Sequence, residues 1–293
     1  MNYLTPEEYE KFNIEDCLYI LNAVADLDLA DLYNKLIITE EDIEEINKNP
    51  KDVKPEIMEK IYNFCYNNGL FINDILWLET KEQLENDENL LLSHGSRVNI
   101  KGNIRLDASG DSNDFSNGFY LGENLKQAGM FVSNEPDSSL YIVEFEPIGL
   151  TMKKFNVSTD WMLAVAYYRE TIDEYKNSDR IKELISDIEK CDFIMAPIAD
   201  NRMFQIIDAF TDNQITDVQC KHALSATNLG YQFVMKHKDT LPNINIVKHL
   251  YLCDVEKNKY NILGQEESNT SLNKAILAKK RFNNTGKYIK DIL

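Results

Sequence analysis

The chain has 293 residues, 43% hydrophobic and 27% charged, the composition of a globular protein with room for two modest cores. Acidic residues outnumber basic ones 49 to 31, and the net charge of −18 argues against a general nucleic-acid binder. No run approaches the roughly eighteen apolar residues of a membrane span, and the opening MNYLTPEEYE lacks a signal peptide's basic region and apolar core. A cytoplasmic protein with no membrane contact is expected.

The charge is concentrated at the front. Residues 1–92 hold 22 acidic and 7 basic residues, whereas 255–293 hold 8 basic and 4 acidic. Along the front, LADLYNKLIITEEDIEEINKNP predicts a helix, a short turn and a second helix opened by Thr39, with Glu41 and Asp42 in its first turn and Pro50 ending it. In KPEIMEKIYNFCYNNG, Ile57, Ile61, Phe64 and Cys65 recur at helical spacing between Pro55 and Gly69. A bundle of four or five helices over about 5–75 follows. Its helix–turn–helix order resembles repressor-like DNA-binding domains, but the helix that would enter the groove carries Glu40, Glu41, Asp42, Glu44 and Glu45. DNA binding by this front is therefore not expected. Two readings stay open: contacts with a partner protein, an antidote protein or a second copy, and a solvated acidic surface.

LWLETKEQLENDENL (76–90) is polar and helix-friendly, which predicts a linker over 77–90 and a boundary near 85–90. Beyond it the pattern changes. SLYIVEFEP (139–147), FIMAPI (193–198), YQFVMK (231–236) and INIVKHLYL (244–252) predict strands, and WMLAVAYYRETIDEY and RIKELISDIEKC predict helices. The fold class is α+β, with divisions at 1–76, 77–90, 91–254 and a tail of 255–293 holding a short helix. Cys17, Cys65, Cys191, Cys220 and Cys253 are scattered with no C-x-x-C, which predicts reduced, mostly buried thiols. The loop DASGDSNDFSNGFYL (107–121) lacks the EF-hand order, and no P-loop or dinucleotide fingerprint occurs, so no metal is expected.

What stands out is LLLSHGSRVNIKG (90–102), where an apolar run ends in His94, Gly95, Ser96 and Arg97, followed by DFSNGFYL (114–121). This order resembles the ADP-ribosyltransferase superfamily of poly(ADP-ribose) polymerase-like and diphtheria-toxin-like enzymes. It is closer to an uncharacterised bacterial family of that fold, with further matches in DFSNGFYLGENLKQA, Trp161 with Arg169, APIAD (196–200) and YQFVMKHKDTL (231–241). The likeness runs from 91 to about 252. Ser116, Gly122, Ala196 and Met235 depart from the family's usual glycine, threonine, glycine and aromatic residue.

The resemblance implies a split β-sandwich behind the helical front and a mono-ADP-ribosyltransferase that takes NAD as co-substrate, of a bacterial or phage toxin or defence type. The catalytic trio would be His94, Tyr120 and Gln232, and Gly95, Ser96, Arg97, Asp114 and Phe119 would join His94 and Tyr120 in holding NAD. His94 would bond an adenosine ribose hydroxyl, Gly95 and Ser96 the nicotinamide amide, and Tyr120 would stack on the nicotinamide ring. Gln232 stands where the best-known transferases have glutamate. It can hold a ribose hydroxyl but cannot act as a base, so single transfer to a macromolecular acceptor is expected rather than chain elongation, with Asp114 or Asp200 as candidates for activating that acceptor. An NAD glycohydrolase and a catalytically silent NAD- or ADP-ribose-binding regulator are the alternatives. Taken singly, His94 reads as a turn histidine, Tyr120 as a core aromatic and Gln232 as a strand-end cap. Only their order argues for a site.

Overall fold

The structure, a computed structural model, describes residues 5–9, 11–84, 88–110, 112–199, 201–225, 230–283 and 285–293. In chain order its first half runs α1 (Pro6–Tyr9), α2 (Glu15–Tyr19), α3 (Leu29–Leu36), α4 (Glu40–Lys48), α5 (Pro55–Asn67), α6 (Ile72–Leu84), β1 (Leu90–Ser96), β2 (Phe119–Gly122), α7 (Leu125–Val132) and β3 (Ser139–Phe145). The second half runs β4 (Met152–Lys154), α8 (Thr159–Tyr168), α9 (Asp179–Glu189), β5 (Phe193–Pro197), α10 (Asn201–Thr211), α11 (Asp217–Ser225), β6 (Tyr231–Met235), β7 (Ile244–Leu250) and α12 (Asp254–Arg281). The protein is α+β, with a helical N-terminal region. It divides into two compact units drawn from interleaved segments: 1–103, 124–147 and 244–262 form the first, and 104–123, 148–243 and 263–293 the second.

The helical front forms for local reasons visible in its sequence. Asp28 caps α3 by accepting the Ala30 N–H at 2.8 Å. Thr39 and Asp42 form a reciprocal capping box at the start of α4, and Pro55 opens α5 where its missing N–H costs nothing. The front shares its unit with three antiparallel strands in the order β1–β3–β7. Residues 77–84, expected to be linker, lie in α6 instead, and Leu76, Trp77, Thr80 and Leu84 are buried there. Their apolar members are spaced to cover one helix face, and the polar residues between them had hidden that stripe. Side chains tie the front to the strand region: Lys248 Nζ donates to Asp16 at 2.7 Å, and Tyr251 Oη donates to Glu59 at 2.6 Å.

The deepest of these ties is Glu256. It is fully buried in the first turns of α12, and its Oε2 accepts the Asn73 Nδ2–H of α6 at 2.7 Å. Burial pushes its carboxyl up to about 8, with the nearby Asp74 adding to the rise and Tyr66, Asn73 and Tyr260 opposing it. The folded chain therefore keeps a proton that the unfolded chain releases near its ordinary value of 4.5. The stabilising effect is complete below that value and is lost as pH rises toward 8, by about 1.4 kcal/mol per pH unit across the window. Chemical denaturation from pH 5 to 8 should show this slope in the wild type relative to Glu256→Gln. Parallel pH profiles for the two proteins would show the carboxyl to be ionised in the fold.

The second unit holds four strands of the seven-stranded sheet in the order β4–β5–β6–β2, parallel between β4 and β5 and antiparallel elsewhere. α8 is its central helix. Trp161, Met162, Leu163, Ala164, Val165 and Ala166 are all fully buried, so the helix is apolar on every side, unlike α9, which buries only Ile181, Leu184 and Ile188. The core gathers Phe115, Phe155, Ile194, Phe210 and Val234 around α8. The short helix expected in the tail is a helix of 28 residues, Asp254–Arg281. Its weak amphipathic pattern concealed its length. After it, the chain is held by Thr216 Oγ1, which donates to the Thr285 carbonyl at 2.5 Å, and by the buried Ile289. All five cysteines are free thiols, and four of them are buried.

Candidate functional site

In the first unit, three of the four polar residues that end the apolar run lie inside β1 rather than in a turn, and Arg97 follows the strand. His94, Gly95 and Ser96 are its last residues and pair with Tyr141, Leu140 and Ser139 of β3. The strand continues because β3 supplies partners for its full length, whatever the polarity of its end. Tyr141 also faces His249 of β7, so His94, Tyr141 and His249 form a row across three strands. The Tyr141 and His249 rings stack with centroids 4.4 Å apart, the Phe12 ring lies tilted 4.1 Å from that of His249, and the His94 ring is 6.2 Å from Tyr141. Burial holds the His249 imidazole down to about 3, so it is neutral. The loop after β1 is tied back to this row, since Tyr141 Oη accepts the Ile100 N–H at 2.8 Å.

Gly95 is fixed by packing. A Cβ there would lie 2.5 Å from the Ala128 carbonyl oxygen, so α7 crosses β1 at a distance only glycine allows. Ser93 Oγ secures the start of that helix by donating to the Asn124 carbonyl at 2.6 Å. Arg97 is exposed, pairs with Glu135 at 3.6 Å and lies over the Phe131 ring.

In the second unit, the sequence-expected residues Asp114 and Gln232 meet. Asp114 is 5% exposed, in the loop that leads to β2. Its Oδ1 accepts from Arg169 Nη2 at 2.6 Å, and its Oδ2 accepts from the Ala199 N–H at 2.9 Å and from Gln232 Nε2 at 2.7 Å. Gln232 Nε2 also donates to the Pro197 carbonyl at 3.1 Å. Arg169, one residue past α8, gives a second bond to the Ala199 carbonyl at 2.9 Å, and its guanidinium lies 4.3 Å from the centre of the Phe204 ring. Burial pushes the Asp114 carboxyl above its ordinary range, against the pull of Arg169, the Ala199 amide and Gln232. With three donors converging on it, the group has the surroundings of a carboxylate.

Tyr120 shares a strand face with Gln232, because Tyr120 pairs with Val234 and Gly122 with Gln232. Its hydroxyl closes the preceding loop, donating to the Ser116 carbonyl at 2.6 Å and accepting the Phe115 N–H at 3.1 Å. Burial, with Asp114 adding to the effect, raises this phenol well above its ordinary range. Phe119 is 5% exposed on the opposite side of β2, so it is a core residue by position. Lys236 clamps the same loop through the Phe115 carbonyl at 2.8 Å. Ser116, where the resembling family has glycine, sits at φ +60°. A side chain is strained there, so Ser116→Gly should raise stability by about 0.5–1 kcal/mol, read by urea denaturation.

The geometry of this cluster bears against one expectation, that Asp114 activates an acceptor. Asp114 is no free base for an acceptor, since both its oxygens are engaged. Arg169, which the sequence marks only by its place in a motif with Trp161, is the counter-ion of Asp114. Glu123, at the end of β2, went unnoticed, and its Oε2 accepts the Tyr231 N–H beside Gln232 at 2.8 Å. A glutamate after a four-residue strand carries no sequence signal. Asp200 lies outside the described residues. Among the described residues no group of three or more His, Cys, Asp or Glu could hold a metal ion, and no helix is long and apolar enough to cross a membrane.

Comparison with curated proteins and with solved structures gives no match. A family of proteins matches residues 90–246, more than half of the chain and a span that includes every residue of both clusters except Phe12 and His249. The chain belongs to that family, described as protein of unknown function (DUF3990).

Proposed function

We propose that the protein is an NAD-dependent mono-ADP-ribosyltransferase, with the split β-sandwich of that superfamily, acting as a bacterial or phage toxin- or defence-type effector on a macromolecule. The observation that carries this reading is the state of Gln232. Asp114 and the Pro197 carbonyl take its amide hydrogens, which leaves Oε1 as an acceptor for a ligand hydroxyl. The amide cannot be turned round, because both of its partners are acceptors. A ribose hydroxyl fits such a group. The ordered motifs from His94 to Gln232 support the rest: His94 for the adenosine ribose, Gly95 and Ser96 for the nicotinamide amide, Tyr120 for its ring. In the reaction, the bond from the ribose anomeric carbon to the nicotinamide nitrogen breaks and its electron pair leaves with the now neutral nicotinamide. The acceptor's nucleophilic atom bonds to that carbon and loses its proton to a base or to solvent.

One observation favours a second reading, NAD glycohydrolase with water as the acceptor. Both oxygens of Asp114, the carboxylate bonded to Gln232, are engaged, so it does not prepare a macromolecular acceptor, whereas water can capture an oxocarbenium-like carbon without a base. A silent NAD-binding regulator would share the same site. The acidic front is read as the surface for a partner or antidote protein, or as an autoinhibitory element.

Nicotinamide release from NAD by purified protein, with and without cell lysate, decides among these. Release that falls at least about 100-fold in His94→Ala and Gln232→Ala and labels a lysate component identifies the transferase. Free ADP-ribose with no labelled macromolecule identifies the hydrolase, and NAD binding with no release in any protein removes the catalytic reading.

A further inference from the structure

We propose that Asp114 is a positioning residue that dictates glutamine, and excludes glutamate, at position 232. Its bearing on catalysis rests on the reading above, but its structural content does not. Asp114 Oδ2 faces Gln232 Nε2 at 2.7 Å, and the Pro197 carbonyl faces the same nitrogen at 3.1 Å. Residue 232 is 7% exposed, so water is not at hand to replace either bond. Gln232→Glu would set a carboxylate oxygen against two acceptors, one of them charged. Two carboxylates at that distance cannot both ionise, so they must share a proton or separate. The negative charge of this pair sits on Asp114, where Arg169 neutralises it and its remaining acceptor capacity is spent on orienting an amide. The consequence for function is a site whose ligand-facing atom is a neutral acceptor.

Among the described residues, the charged and titratable groups near this pair include Glu123, whose Oε2 accepts the Tyr231 N–H next to Gln232 at 2.8 Å. Arg169 comes from the end of α8 and Tyr120 from β2, and Asp208 of α10 feels the charge of Arg169.

The test is a set of full-length variants melted from pH 5 to 9: wild type, Gln232→Glu, Asp114→Asn, and the two combined. Gln232→Glu is expected to melt well below wild type at pH 8 and to regain most of the difference at pH 5, where one proton bridges the two carboxyls. Adding Asp114→Asn should raise the melting temperature of Gln232→Glu at pH 8 and abolish that dependence, because the asparagine offers the introduced carboxylate an N–H. A Gln232→Glu protein that melts like wild type at every pH, or one that Asp114→Asn leaves unimproved, overturns the proposal. NAD cleavage is measured on the same proteins. Gln232→Glu should lose more than tenfold in kcat at pH 8 and recover part of it at pH 6, a pH profile that a general loss of packing would not produce. If the melting pattern appears while the wild type cleaves no NAD, the enzymatic reading fails and the role of Asp114 stands. If NAD is cleaved and the melting pattern is absent, the positioning role fails alone.

Discussion

Arg169→Leu is expected to destabilise the protein by about 3–5 kcal/mol at pH 8. Arg169 is the only cation bonded to Asp114 among the described residues, and that carboxylate is 5% exposed. Removing the guanidinium leaves a buried negative charge held by the Ala199 N–H and the Gln232 amide, neither of which carries a charge of its own. The deficit should also depend on pH, in a direction fixed by linkage. Burial already raises the folded-state pKa of Asp114 above its unfolded value, and losing Arg169 raises it further. A raised carboxyl pKa means that the folded chain binds a proton which the unfolded chain has released, so stability falls as pH rises through the window between the two values. Urea denaturation of Arg169→Leu should therefore show its largest deficit near pH 8 and a smaller one near pH 5. Asp114→Asn added to Arg169→Leu should recover part of the loss at pH 8, since the remaining group is then uncharged. A cost below about 1 kcal/mol with no pH dependence would mean that Asp114 is protonated in the native protein, and the acceptor role given to it above would have to be abandoned.

This dependence on a charge pair explains how much could be read from the sequence. Strands β3, β5, β6 and β7 were legible because each is a run of β-branched and aromatic residues closed by Pro, Asn or Gly. α4 and α5 were legible because Thr39, Pro55 and Gly69 act through local backbone chemistry. β2 and β4, at four and three residues, are too short to establish a period, and they exist because β6 and β5 offer them partners. The interleaving of the two compact units has no local signature either, since it is set by which strands pair across more than a hundred residues. The site shows the same split. His94, Tyr120 and Gln232 could be named from motif order. The bonds that decide what Gln232 can do come from Asp114, 118 positions away, and from the backbone at Pro197. Those bonds became visible only once the strands were paired.

The second large effect is expected at Gly95, where the functional and structural reasons for a residue diverge. The resemblance assigns this glycine to the close approach of a nicotinamide amide. The fold gives a reason that involves no ligand: a Cβ at position 95 would meet the Ala128 carbonyl oxygen at 2.5 Å, the Ala128 carbonyl carbon at 3.1 Å and Val132 Cγ1 at 3.1 Å. Two of these three atoms are helix backbone, which cannot turn aside as a side-chain tip can, so α7 must lift from β1. Gly95→Ala should cost about 3 kcal/mol in urea denaturation, at the upper end of overpacking effects. His94→Ala, at a half-buried position next door, should cost less than about 1 kcal/mol. The pair separates the two reasons. If both variants lose NAD cleavage, only the His94 result bears on ligand contact, because the Gly95 variant will have lost the helix against which its strand is set. Should Gly95→Ala instead keep wild-type stability and lose NAD binding, α7 yields easily and the glycine is there for the ligand.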